Sequence, residues 1–285
     1  MASSSPKPGP RSGPPAVSGV RGTGSTGSTG ARRGATPDAA PDNRSLARGL
    51  ELLRAFRPGA ESLGNGELAE RCGLSRATVS RLTQTLLRAG FLEHDDEARR
   101  YRLGVPVLSL ALARRSGSLL LQNAAAPMRE LAERARINVG LALADRDDMV
   151  YLESFRYARR VAQRTVVAGQ RVPIELTALG RAWLAANPAA RPGLYRLFAA
   201  RRKHWPALRR ELNAALADVE RQGWCWACWQ PEVLALATPL ALPGHPVHVL
   251  NVSTTTRLDP RALLPPLADE LMALAVRLRA AATAM

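Results

Sequence analysis

The stretch that decides the reading of this chain is Ser75-Arg-Ala-Thr-Val-Ser-Arg-Leu-Thr-Gln-Thr-Leu-Leu-Arg-Ala-Gly90. At helical period Val79, Leu82 and Leu86 fall on one face, the stripe that a half-buried helix needs. The opposite side offers Arg76, Ser80, Arg81, Gln84 and Arg88, all able to hydrogen-bond a base edge or pair with phosphate. Ser75 is placed to cap the helix, and Gly90 to follow its last turn. Just upstream, residues 66–73 (GELAERCG) read as a shorter helix with Leu68 and Ala69 inward, stopped at Gly73. A helix, a glycine-containing turn and a second helix with a polar outer face spell a helix-turn-helix, with residues 75–90 as its recognition helix.

Further upstream, residues 45–56 (SLARGLELLRAF) place Leu46, Leu50, Leu53 and Phe56 on one face, with Ser45 as cap and Pro58-Gly59 as the stop. Downstream, residues 91–103 (FLEHDDEARRYRL) are two short extended segments around a charged turn, a β-hairpin in the place of a wing. Arg99, Arg100 and Arg102 sit where a wing touches the DNA backbone, or else form a solvated hairpin edge. Residues 106–115 (PVLSLALARR) are apolar on most sides and form a linker helix. So apolar a surface helix needs a partner, and the same helix of a second subunit would supply one.

From Leu119 onward helices and strands alternate. Helices are expected over 119–135, 177–186, 191–203, 205–222 and 263–282, and strands over 139–144, 149–154, 161–167, 224–229, 233–240 and 247–253. The domains are therefore residues 1–44, a low-complexity disordered tail; 45–104, a winged helix-turn-helix; 105–118, a linker helix; and 119–285, a sensor-like α+β domain with a central antiparallel sheet.

Composition narrows the function. The 285 residues carry a net charge of +16. Six cations stand against two acids in residues 1–44, ten against eight in 45–104, and twenty-four against fourteen in 105–285. Most of the excess thus lies outside the helix-turn-helix, and the arrangement of residues argues for DNA better than charge does. No apolar run reaches the roughly 20 residues of a membrane span, and no signal peptide is visible. Three cysteines make no disulfide framework. A cytoplasmic protein is expected.

With these pieces in place, the chain resembles the IclR family of bacterial transcriptional regulators. The matching residues are 45–53 (SLARGLELL), 74–82 (LSRATVSRL) with Leu86, 101–104 (YRLG), 149–153 (MVYLE) and the long run 169–185 (GQRVPIELTALGRAWLA). The resemblance implies a winged helix-turn-helix joined to a GAF-like effector domain, DNA binding as a homodimer or dimer of dimers, and response to a small organic or aromatic acid. It implies a pocket lined from Met149, Leu152, Ile174, Thr177, Ala178, Gly180, Cys225, Glu232, Ala235 and Ala237, with Glu175 at its rim. Backbone N–H groups at the start of the Thr177 helix would suit a carboxylate.

Two departures from the family pattern stand out. Glu175 occupies a position usually held by His or a small polar residue, and a buried carboxylate repels an acidic ligand unless it faces an arginine or solvent. Residues 223–232 (GWCWACWQPE) reach Ala237-Thr-Pro239 early and lack the usual glycine, which implies an altered ligand or lost sensing.

Other chemistries fit less well. Cys225, Cys228, His245 and His248 imitate a zinc spacing, but alternation along a strand sends 225 and 228 to opposite faces. Trp224, Trp226 and Trp229 read as sheet packing or a lid over the pocket. No phosphate-binding loop, dinucleotide fingerprint or G-x-S-x-G is present, so no cofactor, metal or catalytic residue is assigned and an enzyme is not expected. The expected function is a ligand-responsive regulator reading a two-fold site in double-stranded DNA through Ser75, Arg76, Thr78, Ser80, Arg81, Gln84, Arg88, Arg99 and Arg100. The alternative is a metabolite-sensing interaction protein that no longer answers the usual ligand.

Overall fold

The first helix, α1 (Arg44–Arg54), is capped two residues earlier than expected, by Asn43 rather than Ser45: the Asn43 side-chain oxygen accepts the Leu46 N–H at 3.1 Å. The structure, a computed structural model, describes residues 43–157, 168–257 and 259–283. Nearly all of the expected tail and the expected strand 161–167 lie outside the described residues.

The face that α1 buries also differs from expectation. Leu52, Ala55 and Phe56 pack inward, whereas Leu46 and Leu50 stay 61% and 51% exposed. Phe56 and the half-buried Leu53 of the expected stripe do turn inward, while Gly49 and Leu52 are buried in place of Leu46 and Leu50. The buried side joins Leu63, Leu68, Val79, Leu92 and Tyr101 in one small core.

Helix α2 (Asn65–Cys72) starts with the Gly64 N–H donating to Glu67 Oε2 at 2.8 Å and ends at Gly73, in the left-handed region at φ 63°. Helix α3 (Arg76–Arg88) is the recognition helix, and Ser75 caps it as expected, its Oγ accepting the Thr78 N–H at 3.3 Å. Val79 and Thr83 are buried while Leu82 and Leu86 are half-buried. Gly90 takes φ 73°, which lets the chain reverse directly into the wing.

The wing is a three-stranded antiparallel sheet rather than a bare hairpin. A two-residue strand β1 (Ser62–Leu63), too short to show in the sequence, lies beside β3 (Arg100–Leu103), and β2 (Leu92–Asp95) pairs on β3's other side. The linker helix α4 (Val105–Ser116) follows and has no buried residue. Val105, Leu108, Leu110 and Leu112 are 53–70% exposed.

The remainder comprises α5 (Leu119–Ala135), β4 (Asn138–Asp145), β5 (Asp148–Phe155), β6 (Arg171–Pro173), α6 (Ala178–Ala186), α7 (Arg191–Arg201), α8 (Trp205–Gln222), β7 (Cys225–Gln230), β8 (Val233–Leu240), β9 (His248–Thr255) and α9 (Pro260–Thr283). The strands form an antiparallel sheet in the order β6-β5-β4-β9-β8-β7. Its two faces bury different sets of residues, as strand alternation requires. Leu234, Leu236, Leu250 and Val252 meet α5 and α9, while Met149, Ala235, Ala237 and Val249 meet α6 and α8. The α+β expectation with a central antiparallel sheet is met. No helix among the described residues is long and apolar enough to cross a membrane.

Candidate functional site

Two surfaces carry chemistry, and the first is the outer face of α3. Arg76, Ser80, Arg81, Gln84 and Arg88 are all exposed, as is the cap Ser75, and Thr78 is half-buried with its hydroxyl 2.9 Å from Ser75 Oγ. Among the described residues, no carboxylate pairs with Arg76, Arg81 or Arg88. Guanidinium groups held on a capped helix and left without internal partners are available to an external acceptor.

The wing arginines separate into two kinds. Arg99 occupies the hairpin turn at φ 51°, exposed and without a carboxylate partner among the described residues. Arg100, expected to reach toward phosphate, instead turns back into its own domain. Its Nε donates to Ser62 Oγ at 2.9 Å, its Nη2 to the Ser62 carbonyl at 2.7 Å, and the same nitrogen pairs with Glu67 at 2.8 Å. The reason is β1, whose presence beside β3 supplies those acceptors. Arg102 pairs with Asp95 at 3.0 Å.

The second surface is a cavity of 910 Å³ between the α7–α8 region and the edge strand β7. Its floor is apolar, with Leu176, Leu208 and Ala227, and Trp226 and Trp229 stand at one side. Arg181, Arg201, Arg202 and Lys203 line the other parts together with the acids Glu211 and Asp218. Arg181 is only 8% exposed. Its Nη2 pairs with Glu211 at 2.9 Å while its Nε has no partner among the described residues. Cations suit the end of α7, where unpaired carbonyls leave a partial negative charge. Sequence reading missed these four residues as a group, although the unbroken basic run Arg201-Arg202-Lys203-His204 was the available signal.

Glu175 shows how the fold tolerates an acid here. It is fully buried, yet Arg202 Nε donates to Oε1 at 2.8 Å and Arg201 Nη2 to Oε1 and Oε2 at 3.1 and 3.3 Å. The carboxylate therefore faces two arginines rather than a ligand. Arg201 also donates from Nη1 to Asp147 Oδ2 at 2.5 Å. Burial pushes the Asp147 carboxyl up, but the Arg201 hydrogen bond and the charges around it outweigh that and hold it below its ordinary value.

The other residues expected at the pocket divide by position. Met149, Ile174, Ala178, Cys225, Ala235 and Ala237 come together as a close-packed core on the α6–α8 face of the sheet. Thr177 caps α6: its Oγ1 accepts the Gly180 N–H at 3.2 Å and donates to the Pro173 carbonyl at 2.9 Å. Gly180 lets that helix approach the chain, since a Cβ there would lie 2.1 Å from the Ile174 carbonyl oxygen. The start of α6 is thus capped and buried, with Leu176 and Arg181 on either side of it in the cavity lining. Two residues lie apart from the group and correct the expectation. Leu152 packs toward α5 and α9, because three positions along a strand reverse the side. Glu232 sits in the exposed β7–β8 turn at φ 60° and pairs with Arg257 at 3.1 Å. None of the eleven expected residues lines the 910 Å³ cavity, which begins beside them at Leu176 and Ala227.

The metal-like spacing is dispersed. Cys225 is buried and its thiol is pushed up to about 12 by burial, whereas Cys228 is exposed on the cavity wall. His248 is buried at the start of β9 and His245 is exposed in the preceding turn.

Comparison with known proteins now fixes the family. The model for the IclR helix-turn-helix domain matches residues 45–96, and that for the bacterial transcriptional regulator IclR C-terminal domain matches residues 116–263. The chain belongs to the IclR family. Within that family it is 40% identical over 161 residues to the HTH-type transcriptional regulator TsaQ1/TsaQ2 of Comamonas testosteroni, covering 54% of this chain and 57% of that protein. It is 29% identical to the Pca regulon regulatory protein of Pseudomonas putida, over 74% of each chain. The crystal structure of an IclR family transcriptional regulator from Brucella abortus superposes with a TM-score of 0.73 at 34% identity, covering 83% of this chain and 92% of that one. The curated relatives of this IclR chain are regulators rather than enzymes, in accord with the absence of a catalytic assignment.

Proposed function

We propose that this protein is a ligand-responsive transcriptional regulator that inserts α3 into the major groove and senses a small acid in its C-terminal half. The observation that carries the DNA reading is the row of internally unpartnered groups on α3. Arg76, Arg81 and Gln84 suit bidentate contacts to guanine and adenine edges, each worth about 1–3 kcal/mol of discrimination. Ser75, Thr78 and Ser80 hold the helix end near the backbone, and Arg88 and Arg99 pair with phosphate, which adds affinity without sequence information.

The uncovered apolar side of α4 supports a homodimer in which two such helices pack together and set paired recognition helices about 34 Å apart, one turn of duplex. Dimers of dimers would extend the same contact logic. For the effector, the 910 Å³ cavity with tryptophans on one side and guanidinium and ammonium groups on the other supports an organic acid with an aromatic ring.

The test of the DNA reading is Arg81→Ala measured against the protein's own upstream region and against random duplex. Affinity for the former should fall about 5- to 100-fold more than for the latter. Equal losses on both would refute base reading by Arg81.

A further inference from the structure

Between the cavity and the DNA-reading domain lie two sets of ion pairs joined through one tight turn, and one arginine stands at their cavity end. The β4–β5 hairpin ends in the tight turn Asp145-Arg146-Asp147-Asp148. On one side this turn grips α1. Arg54 donates from Nη1 to both Asp145 oxygens at 2.9 Å, and Arg146 pairs with Glu51 through both terminal nitrogens. Arg171 of β6 braces the turn from below, bonding Asp145 at 2.7 Å and Asp148 at 2.9 Å. On the other side Asp147 reaches Arg201, whose other terminal nitrogen holds Glu175, buried behind the cavity lining. Arg201 and Arg202 themselves line the cavity.

We propose that Arg201 couples the cavity to the DNA-reading domain: an anion bound in the cavity draws its guanidinium off Asp147 and so releases the β4–β5 turn from α1. This rests on the reading of the cavity as the effector site. The local charges make the exchange feasible. Arg201 and Arg202 are held by Glu175 and Asp147, Arg181 is held by Glu211, and Lys203 and Asp218 complete the charged lining, so a carboxylate that engages Arg201 competes with the two acids this side chain already holds. Glu175 is buried and Arg202 already holds it, whereas the Asp147 side chain is 29% exposed and can be rehydrated at least cost. The contact given up is therefore the one to Asp147. A ligand shifts an equilibrium only through contacts that differ between the two states, and the Arg201–Asp147 pair is such a contact.

The test is hydrogen–deuterium exchange of residues 44–54 in the full chain, with sodium benzoate as the probe and tryptophan fluorescence as the report of its binding. Arg201→Gln and Asp147→Asn, with no benzoate present, should each raise α1 exchange about fivefold or more, and the double variant should go no further. If both variants leave α1 exchange at the wild-type level, the coupling is overturned whether or not benzoate binds. In the wild type, benzoate should quench Trp226 or Trp229 and raise α1 exchange. In Asp147→Asn it should still quench but leave α1 exchange unchanged. Quenching without any change at α1 in the wild type would overturn the coupling and leave the effector cavity standing. Absence of quenching would count against the aromatic-acid reading alone, with the variants still deciding the coupling.

Discussion

Arg99 and Arg100 are neighbours in sequence and opposites in the fold. Arg100 is bound to Ser62 and Glu67 inside its own domain, while Arg99 is exposed in the hairpin turn with no carboxylate partner among the described residues. Phosphate contact releases counterions, so losing one contact lowers the slope of log affinity against log salt by about 0.9. Arg99→Ala is expected to reduce that slope with little loss of stability. Arg100→Ala is expected to leave the slope unchanged and lower stability by about 1 kcal/mol, as loss of a partly exposed pair and its hydrogen bonds implies. Filter binding across a salt series and denaturant melts would separate the two, and equal slopes for both variants would reverse the assignment. The sequence showed three basic residues in a wing but not which faced outward, because the deciding partner, Ser62 in β1, lies far upstream in a strand too short to have a period. Glu175 was legible in another way. Its type at a buried position required an arginine nearby, and two are there.

At the scale of elements, what the sequence made plain was what local chemistry dictates. The cap at Ser75, the stop at Gly73 and the reversal at Gly90 all appear where residue type alone demands them. What it hid depended on tertiary contact, which buries Leu52 and leaves Leu46 and Leu50 exposed in α1, or on counting parity along a strand, as for Leu152. The cavity was hidden more deeply, since it is formed where α7, α8 and β7 meet and no single segment announces it. Helix α4 is the element whose behaviour is most directly predicted. Leu108 and Leu112 are 62% and 53% exposed, and the proposed dimer would cover this apolar side with a second copy. Leu108→Glu together with Leu112→Glu should turn the dimer into a monomer whose fold is intact, because neither side chain belongs to the protein's own core. Sedimentation velocity and circular dichroism would show it. A variant that remains dimeric would place the subunit contact elsewhere.

Across the whole molecule, α1 is held to the β4–β5 turn by charge, and the contact should answer to acid. The Arg146 hydrogen bond holds the Glu51 carboxyl below its ordinary range. Burial pushes Asp145 up, but Arg171 and Arg54 outweigh it and leave that carboxyl lowered as well. Carboxyls lowered by docking bind fewer protons docked than free, so their contribution is present above the ordinary carboxylate values and is lost as pH falls through the lowered ones. Exchange of α1 amides, corrected for intrinsic rate, should therefore be flat from about pH 8 to 5 and rise below about pH 4. A rise on the alkaline side instead would point to other groups.

The central claim is that paired copies of α3 read a two-fold DNA site, and selection of bound sequences from a random duplex pool by the full-length protein tests it most directly. Two inverted half-sites whose centres lie about 10 base pairs, or a multiple of that, apart are the predicted result. Recovery of a single unpaired half-site, or of no enriched sequence at all, would contradict it.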